Sequence, residues 1–187
     1  MRSTTLASIV ALAAIALPAQ GATAHGPADG HGHSSGQLPP QTREQLRQVR
    51  KATRAYRDVE VAKAAGYEPA KTCAEDPKYG GMGIHYANPK LLADGVLDPN
   101  HPEVLVYQPG TDGKLSLGAV EYFQPDADQD LDTNDDRPSL FGLPFDGPML
   151  GHEPGMPKHY DLHVWLYKHN PAGLFAAWNP RVHCPTG

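Results

Sequence analysis

The chain has 187 residues, a formal net charge of −5 and 40% hydrophobic residues, which is the composition of a globular protein. An acidic chain lacks the basic face that neutralises phosphate groups, so these values argue against a nucleic-acid partner. Beyond the first residues, no apolar run approaches the roughly 20 residues that cross a membrane as a helix.

The amino-terminal segment, residues 1–24, has the three parts of a secretory signal peptide. Arg2 gives it a charged start, residues 6–17 form an apolar run, and Ala22-Thr23-Ala24 is a small-residue cleavage site. The apolar run is too short to span a bilayer, although an uncleaved membrane helix is the alternative. We therefore predict cleavage after Ala24 and a secreted or periplasmic mature protein without a membrane partner.

Residues 25–40 are predicted to be a disordered tail rich in histidine and glycine, because they contain almost no large apolar side chain. The histidines are His25, His31 and His33. Such tracts bind transition metals loosely. Cleavage after Ala24 would also make His25 the amino terminus, the position of a copper-chelating histidine brace. Metal storage or delivery through this tail is one hypothesis for the function.

The next element is predicted to be one amphipathic helix over residues 43–65. Thr42 and Gln45 have the spacing of a capping box, and Gly66 is a typical helix stop. Apolar or small side chains recur every three or four residues, at Leu46, Val49, Thr53, Tyr56 and Val59.

After this helix the pattern changes to period two, which predicts strands. The predicted strands are Met82–Ala87, Val104–Gln108, Leu115–Phe123, His159–Tyr167 and a shorter one at Leu174–Trp178, with a hairpin connection at 109–113. One helix followed by antiparallel strands predicts an α+β fold. In this fold one N-terminal amphipathic helix packs on an antiparallel β-sheet, in a single domain over residues 41–187. The other face of the sheet would then be free to form a pocket.

The two cysteines of the chain, Cys73 and Cys184, both follow the predicted cleavage site. In an oxidising compartment such a pair is most simply a structural disulfide. The bond would tie the carboxyl end to the segment that follows the helix.

Two histidines and one carboxylate are candidate metal ligands: His85, Glu121 and His163. Because side chains alternate between the two faces of a strand, one predicted strand has His159, Asp161, His163, Trp165 and Tyr167 on the same face. In another predicted strand, Leu117, Ala119, Glu121 and Phe123 share a face. If the strands are neighbours, the three candidates converge on a site that suits zinc, iron or copper and leaves a coordination position open. Asp161 or His159 would be a fourth ligand or would orient an imidazole. Zinc or copper is the predicted cofactor. The protein would either only bind the metal or use it to activate water or dioxygen.

Two alternatives to a metal site remain open. In the first, His85 and His163 are hydrogen-bonded core residues and Glu121 pairs with Arg181 or a lysine. In the second, the partner is a small molecule without a metal, and a non-enzymatic binding pocket is lined by three aromatic side chains. These are Phe123, Trp165 and Tyr167.

Residues 124–159 are predicted to be irregular loops that could cover a site. Within them, Asp126–Asp136 carries oxygen ligands at alternate positions, as a calcium loop does. However, Leu131 stands where an EF-hand has glycine, and Arg137 stands where it has glutamate. We therefore predict a solvated acidic loop, with calcium binding as an open question.

Three strings of residues resemble those of a group of small secreted bacterial proteins without an established activity. The strings are Gly81-Met-Gly-Ile-His-Tyr86, Leu162-His-Val-Trp165, and Asn170-Pro-Ala-Gly173 continuing through Trp178-Asn-Pro180 to Cys184. The resemblance spans roughly residues 43–185. It implies a single domain and implies no mechanism.

Overall fold

The computed structural model describes residues 38–110, 112–152 and 155–184, so the predicted signal peptide and the tail histidines lie outside the described residues. The helices are α1 (Pro40–Thr53), α2 (Val59–Ala64) and α3 (Pro89–Asp94). The strands are β1 (Glu68–Asp76), β2 (Gly80–Ala87), β3 (Val104–Pro109), β4 (Leu115–Pro125), β5 (Ser139–Leu140), β6 (Leu143–Pro144), β7 (Asp146–Met149) and β8 (His159–Val164). In these ranges no helix is long and apolar enough to cross a membrane.

Six of the strands form one sheet in the order β1-β2-β3-β4-β8-β7, and every neighbouring pair is antiparallel. The remaining two, β5 and β6, form a small separate hairpin. The predicted class, an antiparallel sheet with helices, is confirmed.

The predicted single helix over 43–65 is divided in the structure. A 3₁₀ turn at Arg54–Arg57 follows α1, and Asp58 then takes an extended conformation. The Asp58 carboxylate accepts the backbone N–H of Glu60 and so begins α2 as an N-cap. The apolar periodicity continues through this break, which is why the pattern alone predicts one helix.

The start of α1 also differs from the prediction. The helix begins at Pro40, and the Thr42 hydroxyl donates to the Phe141 carbonyl instead of capping the helix. Leu38 lies in the predicted tail, yet it is buried in the core. At the other end, Gly66 has a φ of 96°, which a glycine tolerates and which ends the helical region as predicted.

One face of the sheet packs against the helical segment. The Tyr107 hydroxyl of β3 donates to the Tyr56 carbonyl, and the hydroxyls of Thr53 and Tyr167 lie 2.9 Å apart. The buried side chains of this layer include Leu46, Val49, Ala62, Leu105, Tyr107, Val120, Tyr122, Tyr160, Leu162 and Val164. The predicted candidate ligands occupy the opposite face.

The last two predicted strands are shorter than expected or missing. Strand β8 ends at Val164, because the Tyr167 N–H donates to the Gly118 carbonyl and turns the chain away. Residues 174–178 form turns, and the nearest ladder contact is an isolated bridge between Gly81 and Asn179.

The sequence patterns miss four strands. Strand β1 lies at the edge of the sheet and contains Pro69, a residue that tends to occur at sheet edges and that gives no alternating signal. Residues 124–159 contain β5, β6 and β7 rather than loops alone, and β7 forms the edge beside β8.

The disulfide between Cys73 and Cys184 is confirmed and joins β1 to the carboxyl-terminal segment. That segment covers part of the second face of the sheet, where Val182 and Trp165 pack on Val106 and Ala119. The prediction of a free second face is therefore wrong for this part of the sheet, because an irregular segment without a periodic signal covers it.

Candidate metal centre

The three candidate ligands come together on the second face because of strand register. Glu121 of β4 lies directly opposite His163 of β8, and His85 of β2 reaches toward them across β3. Beside His85, Gly83 has a φ of 114°, and a Cβ built there would lie 2.4 Å from the Tyr107 carbonyl oxygen. Glycine is therefore required where β2 and β3 approach each other.

The ligand atoms are spaced as a small metal ion requires. Oε2 of Glu121 lies 3.2 Å from Nε2 of His85 and 3.6 Å from Nε2 of His163. Two ligands each about 2.05 Å from zinc, at a tetrahedral angle, lie about 3.3 Å apart. All three side chains offer ligand atoms within 4.8 Å of one another, and in the described part of the chain no other trio of His, Cys, Asp or Glu does so.

These atoms are buried and lack ordinary hydrogen-bond partners. The side chain of His163 is 0% exposed, that of Glu121 is 7% exposed, and His85 forms the rim at 20%. Glu121 Oε2 and both ring nitrogens of His163 have no hydrogen bond among the described residues. Since a buried polar atom without a partner costs about 1 to 3 kcal/mol, the cluster calls for a bound group.

Asp161 and His159 continue the cluster along β8. Asp161 Oδ1 lies 3.7 Å from Nδ1 of His163, and Asp161 Oδ2 lies 4.0 Å from Nε2 of His159. The Nδ1 of His159 lies 3.1 Å from the Pro157 carbonyl. Because a carbonyl oxygen only accepts, Nδ1 donates in this contact, and the buried Nε2 has no hydrogen-bond partner among the described residues. Nε2 of His159 is thus a further unsatisfied ring nitrogen at the edge of the site.

The electrostatics of the cluster favour a bound cation. Burial alone would raise the pKa of Glu121, but His163 and His85 outweigh burial and hold this pKa at about 2. Burial would likewise lower the pKa of His163, yet Glu121 and Asp161 raise it to about 9. Two carboxylates thus flank His163 and stabilise positive charge, carried either by a proton or by a metal ion.

The first alternative interpretation does not match these contacts. Arg181 Nη1 approaches the His169 ring at 3.4 Å rather than Glu121, and the ion-pair contacts of Glu121 are with His85 and His163. These two histidines therefore meet each other and a carboxylate instead of separate core partners.

The three aromatic side chains of the second alternative are not brought together. Phe123 stacks on the His159 ring with centroids 4.6 Å apart, and Trp165 donates its indole N–H to the Ala176 carbonyl inside the carboxyl-terminal cluster. Tyr167 lies toward α1, where its hydroxyl donates to the Arg50 carbonyl. The predicted common face of these residues is interrupted where β8 ends.

The predicted face of β4 is wrong for Leu117, because the pairing of β3 with β4 contains a register shift. The pairing moves from Val106 with Ala119 to Tyr107 with Leu117, so one residue is added to β4 between these pairs. Leu117 consequently joins the core beneath the helices, whereas Ala119, Glu121 and Phe123 remain on the second face. A bulge of this kind leaves no trace in an alternating pattern.

One nearby histidine is missed by the sequence patterns. His152 is exposed, but its ring meets that of His159 edge-on with centroids 5.1 Å apart, and partial burial together with His159 lowers the pKa of His152. Its one sequence signal is its place in the glycine- and proline-rich segment predicted to cover a site. His152 is thus the one histidine of this group at the surface.

A buried carboxyl group beside the site gives a pH-dependent prediction. Burial raises the pKa of Glu103 to about 7, against the lowering effect of hydrogen bonds such as that from the Phe123 N–H. Because the folded state binds this proton more tightly than the unfolded chain, stability falls as the pH rises from about 4.5 to about 7 and stays lower above it. Glu103→Gln is expected to raise the free energy of unfolding at pH 8 by about 3 kcal/mol and to leave it nearly unchanged at pH 4.

Urea unfolding of wild type and Glu103→Gln at several pH values measures this difference. The exposed Glu60→Gln on α2 is a matched control and should show no such pH-dependent gain. Equal gains for Glu103→Gln at pH 4 and pH 8 would contradict the assignment.

Comparison with protein-family models, with curated proteins and with solved structures finds no match for this chain. The functional argument therefore rests on the geometry of the site.

Proposed function

We propose that this chain is an exported single-domain protein that binds one transition-metal ion, zinc or copper, through His85, Glu121 and His163. The observation that carries the proposal is the spacing of three ligand atoms, two of them on buried side chains. The distances from the Glu121 oxygen to both imidazoles match the separation of tetrahedral ligands around zinc. Imidazole and carboxylate together suit borderline metals. The signal-peptide pattern and the resemblance to small secreted bacterial proteins supply the exported location.

Each side chain has a role in this proposal. Nε2 of His85, Nε2 of His163 and a Glu121 oxygen are the ligands, because they face one another. Asp161 lies beside the far ring nitrogen of His163 and orients this imidazole, the usual task of a carboxylate behind a metal-bound histidine. Three protein ligands leave a fourth position of a tetrahedral ion for water or for a small ligand that enters beside His85.

Elemental analysis of the protein purified without an affinity tag tests the proposal. After reconstitution and removal of free metal by gel filtration, wild type is expected to hold about one equivalent of zinc or copper. Glu121→Gln should keep less than a tenth, because the amide cannot supply the anionic ligand and the weakly bound metal dissociates. The control Glu60→Gln makes the same chemical change on the exposed face of α2 and should keep the full equivalent.

A second variant separates the sheet site from the tail, with His25, His31 and His33 all replaced by alanine. The proposal requires that this variant keep its metal. Loss of metal in the tail variant with retention in Glu121→Gln would instead favour storage or delivery through the tail. Less than a tenth of an equivalent in reconstituted wild type would exclude both.

A further inference from the structure

A second cluster of charged groups lies in the acidic loop, defined here as residues 126–136, which follows β4. The Asp126 N–H donates to the Lys158 carbonyl, and the Tyr160 hydroxyl donates to the Asp136 carboxylate. The loop is thereby fastened to the start of β8. It closes the end of the two strands that carry Glu121 and His163.

Asp126 is the unusual member of this loop. The sequence predicts a solvated acidic segment, yet Asp126 is only 2% exposed, and neither of its carboxylate oxygens has a hydrogen-bond partner among the described residues. Its carboxylate lies beside that of Asp128, and burial together with Asp128 raises the pKa of Asp126. A buried carboxylate beside a second carboxylate, with neither oxygen satisfied, calls for a cation.

The nearby cations do not fill this position. The Lys158 ammonium donates to the Gln129 carbonyl, and Arg137 donates to the Gly147 carbonyl and lies over the Tyr160 ring. Hydrogen bonds fix the position of the Asp128 carboxylate: one oxygen accepts from the Asp130 N–H and the other accepts from the Thr133 hydroxyl. Each oxygen retains a lone pair that can bind a metal ion. The atoms available to bind a metal ion at the centre of the loop are therefore oxygens.

We infer that the acidic loop binds a calcium ion through the carboxylates of Asp126 and Asp128, with backbone carbonyls and water completing the shell. Calcium takes six to eight oxygen ligands in flexible geometry, whereas magnesium demands a near-ideal octahedron. The hard oxygen donors of this loop also differ from the imidazoles of the sheet site, so the two sites select different ions.

Calcium titration of the full mature chain, freed of metal by chelation, tests the inference by calorimetry and by thermal unfolding at pH 7.5. Wild type is expected to bind one calcium ion with a Kd in the millimolar range or below, the range of extracellular calcium modules. A hundredfold excess over Kd should raise Tm by about 5 to 10 °C, and magnesium should give a much smaller shift.

Asp126→Asn removes the charge and keeps the shape of the side chain, so it should abolish the calcium-dependent rise in Tm. Without calcium this variant should be at least as stable as wild type, because a buried like-charge contact is relieved. Asp112→Asn, on the exposed β3–β4 turn, is the matched control and should respond as wild type does. Glu121→Gln should also keep the calcium response, which separates this inference from the proposed transition-metal site.

An equal rise in Tm for wild type and Asp126→Asn would overturn the inference. So would the absence of any calcium response in wild type. In the latter case a proton shared between Asp126 and Asp128 would relieve the contact, and wild type would lose stability relative to Asp126→Asn as the pH rises.

Discussion

Replacing both Cys73 and Cys184 with serine is expected to lower the free energy of unfolding by about 4 to 5 kcal/mol. The bond closes a loop with a sequence separation of 111 residues, and in the loop-closure model a crosslink of this span removes about this much unfolded-chain entropy. Unfolding in urea, with wild type in the presence and absence of a reductant, measures the loss. Since total stabilities are typically 5 to 15 kcal/mol, the serine variant should be close to unfolding at 37 °C.

The disulfide joins the edge of the sheet to the carboxyl-terminal segment, which is otherwise held by the packing of Val182 and by hydrogen bonds. Cys73 lies in the edge strand β1, and Cys184 follows the segment that covers the second face of the sheet. Without the bond, this end of the chain keeps the hydrogen bond from the Cys184 N–H to Glu75 and the bond from the Gly81 N–H to the Val182 carbonyl. These are neutral or exposed hydrogen bonds, each worth about 1 kcal/mol.

Reduced wild type serves as the internal control and should match the double serine variant. A single Cys184→Ser variant should lose the same stability, because one cysteine alone closes no loop. A loss below about 1 kcal/mol in all three proteins would contradict the argument, since it would mean that the reduced chain is already compact at this end.

The strands that carry the site could be predicted because apolar and polar residues alternate along them. Tyr160, Leu162 and Val164 are buried beneath the helices as expected, and this fixes His163 on the opposite face. That Glu121 meets His163 depends on β8 pairing with β4, which no local pattern encodes. The residue types alone allow the prediction that His85, Glu121 and His163 converge. The register that brings them together can be read only from the folded sheet.

The errors have local physical causes. The helix break at Asp58 is a capping interaction of one residue and does not disturb the apolar period around it. Similarly, the bulge opposite Val106 moves Leu117 to the other face without changing the alternation on either side. The cover over the second face comes from turns around Trp165 and Val182, and such irregular segments carry no period to detect.

Zinc is expected to stabilise the wild-type protein strongly if His85, Glu121 and His163 bind it. A ligand that binds only the folded state at a thousandfold excess over Kd contributes about 4.1 kcal/mol. In a domain of this size, Tm should therefore rise by about 8 to 16 °C relative to the chelated protein. Differential scanning calorimetry of metal-free and zinc-loaded samples measures the rise.

Glu121→Gln should reduce this rise to about a third, or less, at the same zinc concentration. If the affinity falls a hundredfold, the same zinc is only tenfold above Kd and contributes about 1.4 kcal/mol. Asp161→Asn should give an intermediate rise, because a group that orients a ligating histidine typically changes affinity by about 10- to 100-fold.

The comparison must be made between metal-free and loaded samples of each variant. In the metal-free protein, Glu121 also stabilises the protonated His163, so its replacement changes Tm even before zinc is added. The difference between the two states of one variant removes this contribution and leaves the binding free energy. The exposed Glu60→Gln should keep the full rise. A full rise in Glu121→Gln would place the zinc at another site, because the one trio of candidate ligands found among the described residues includes Glu121.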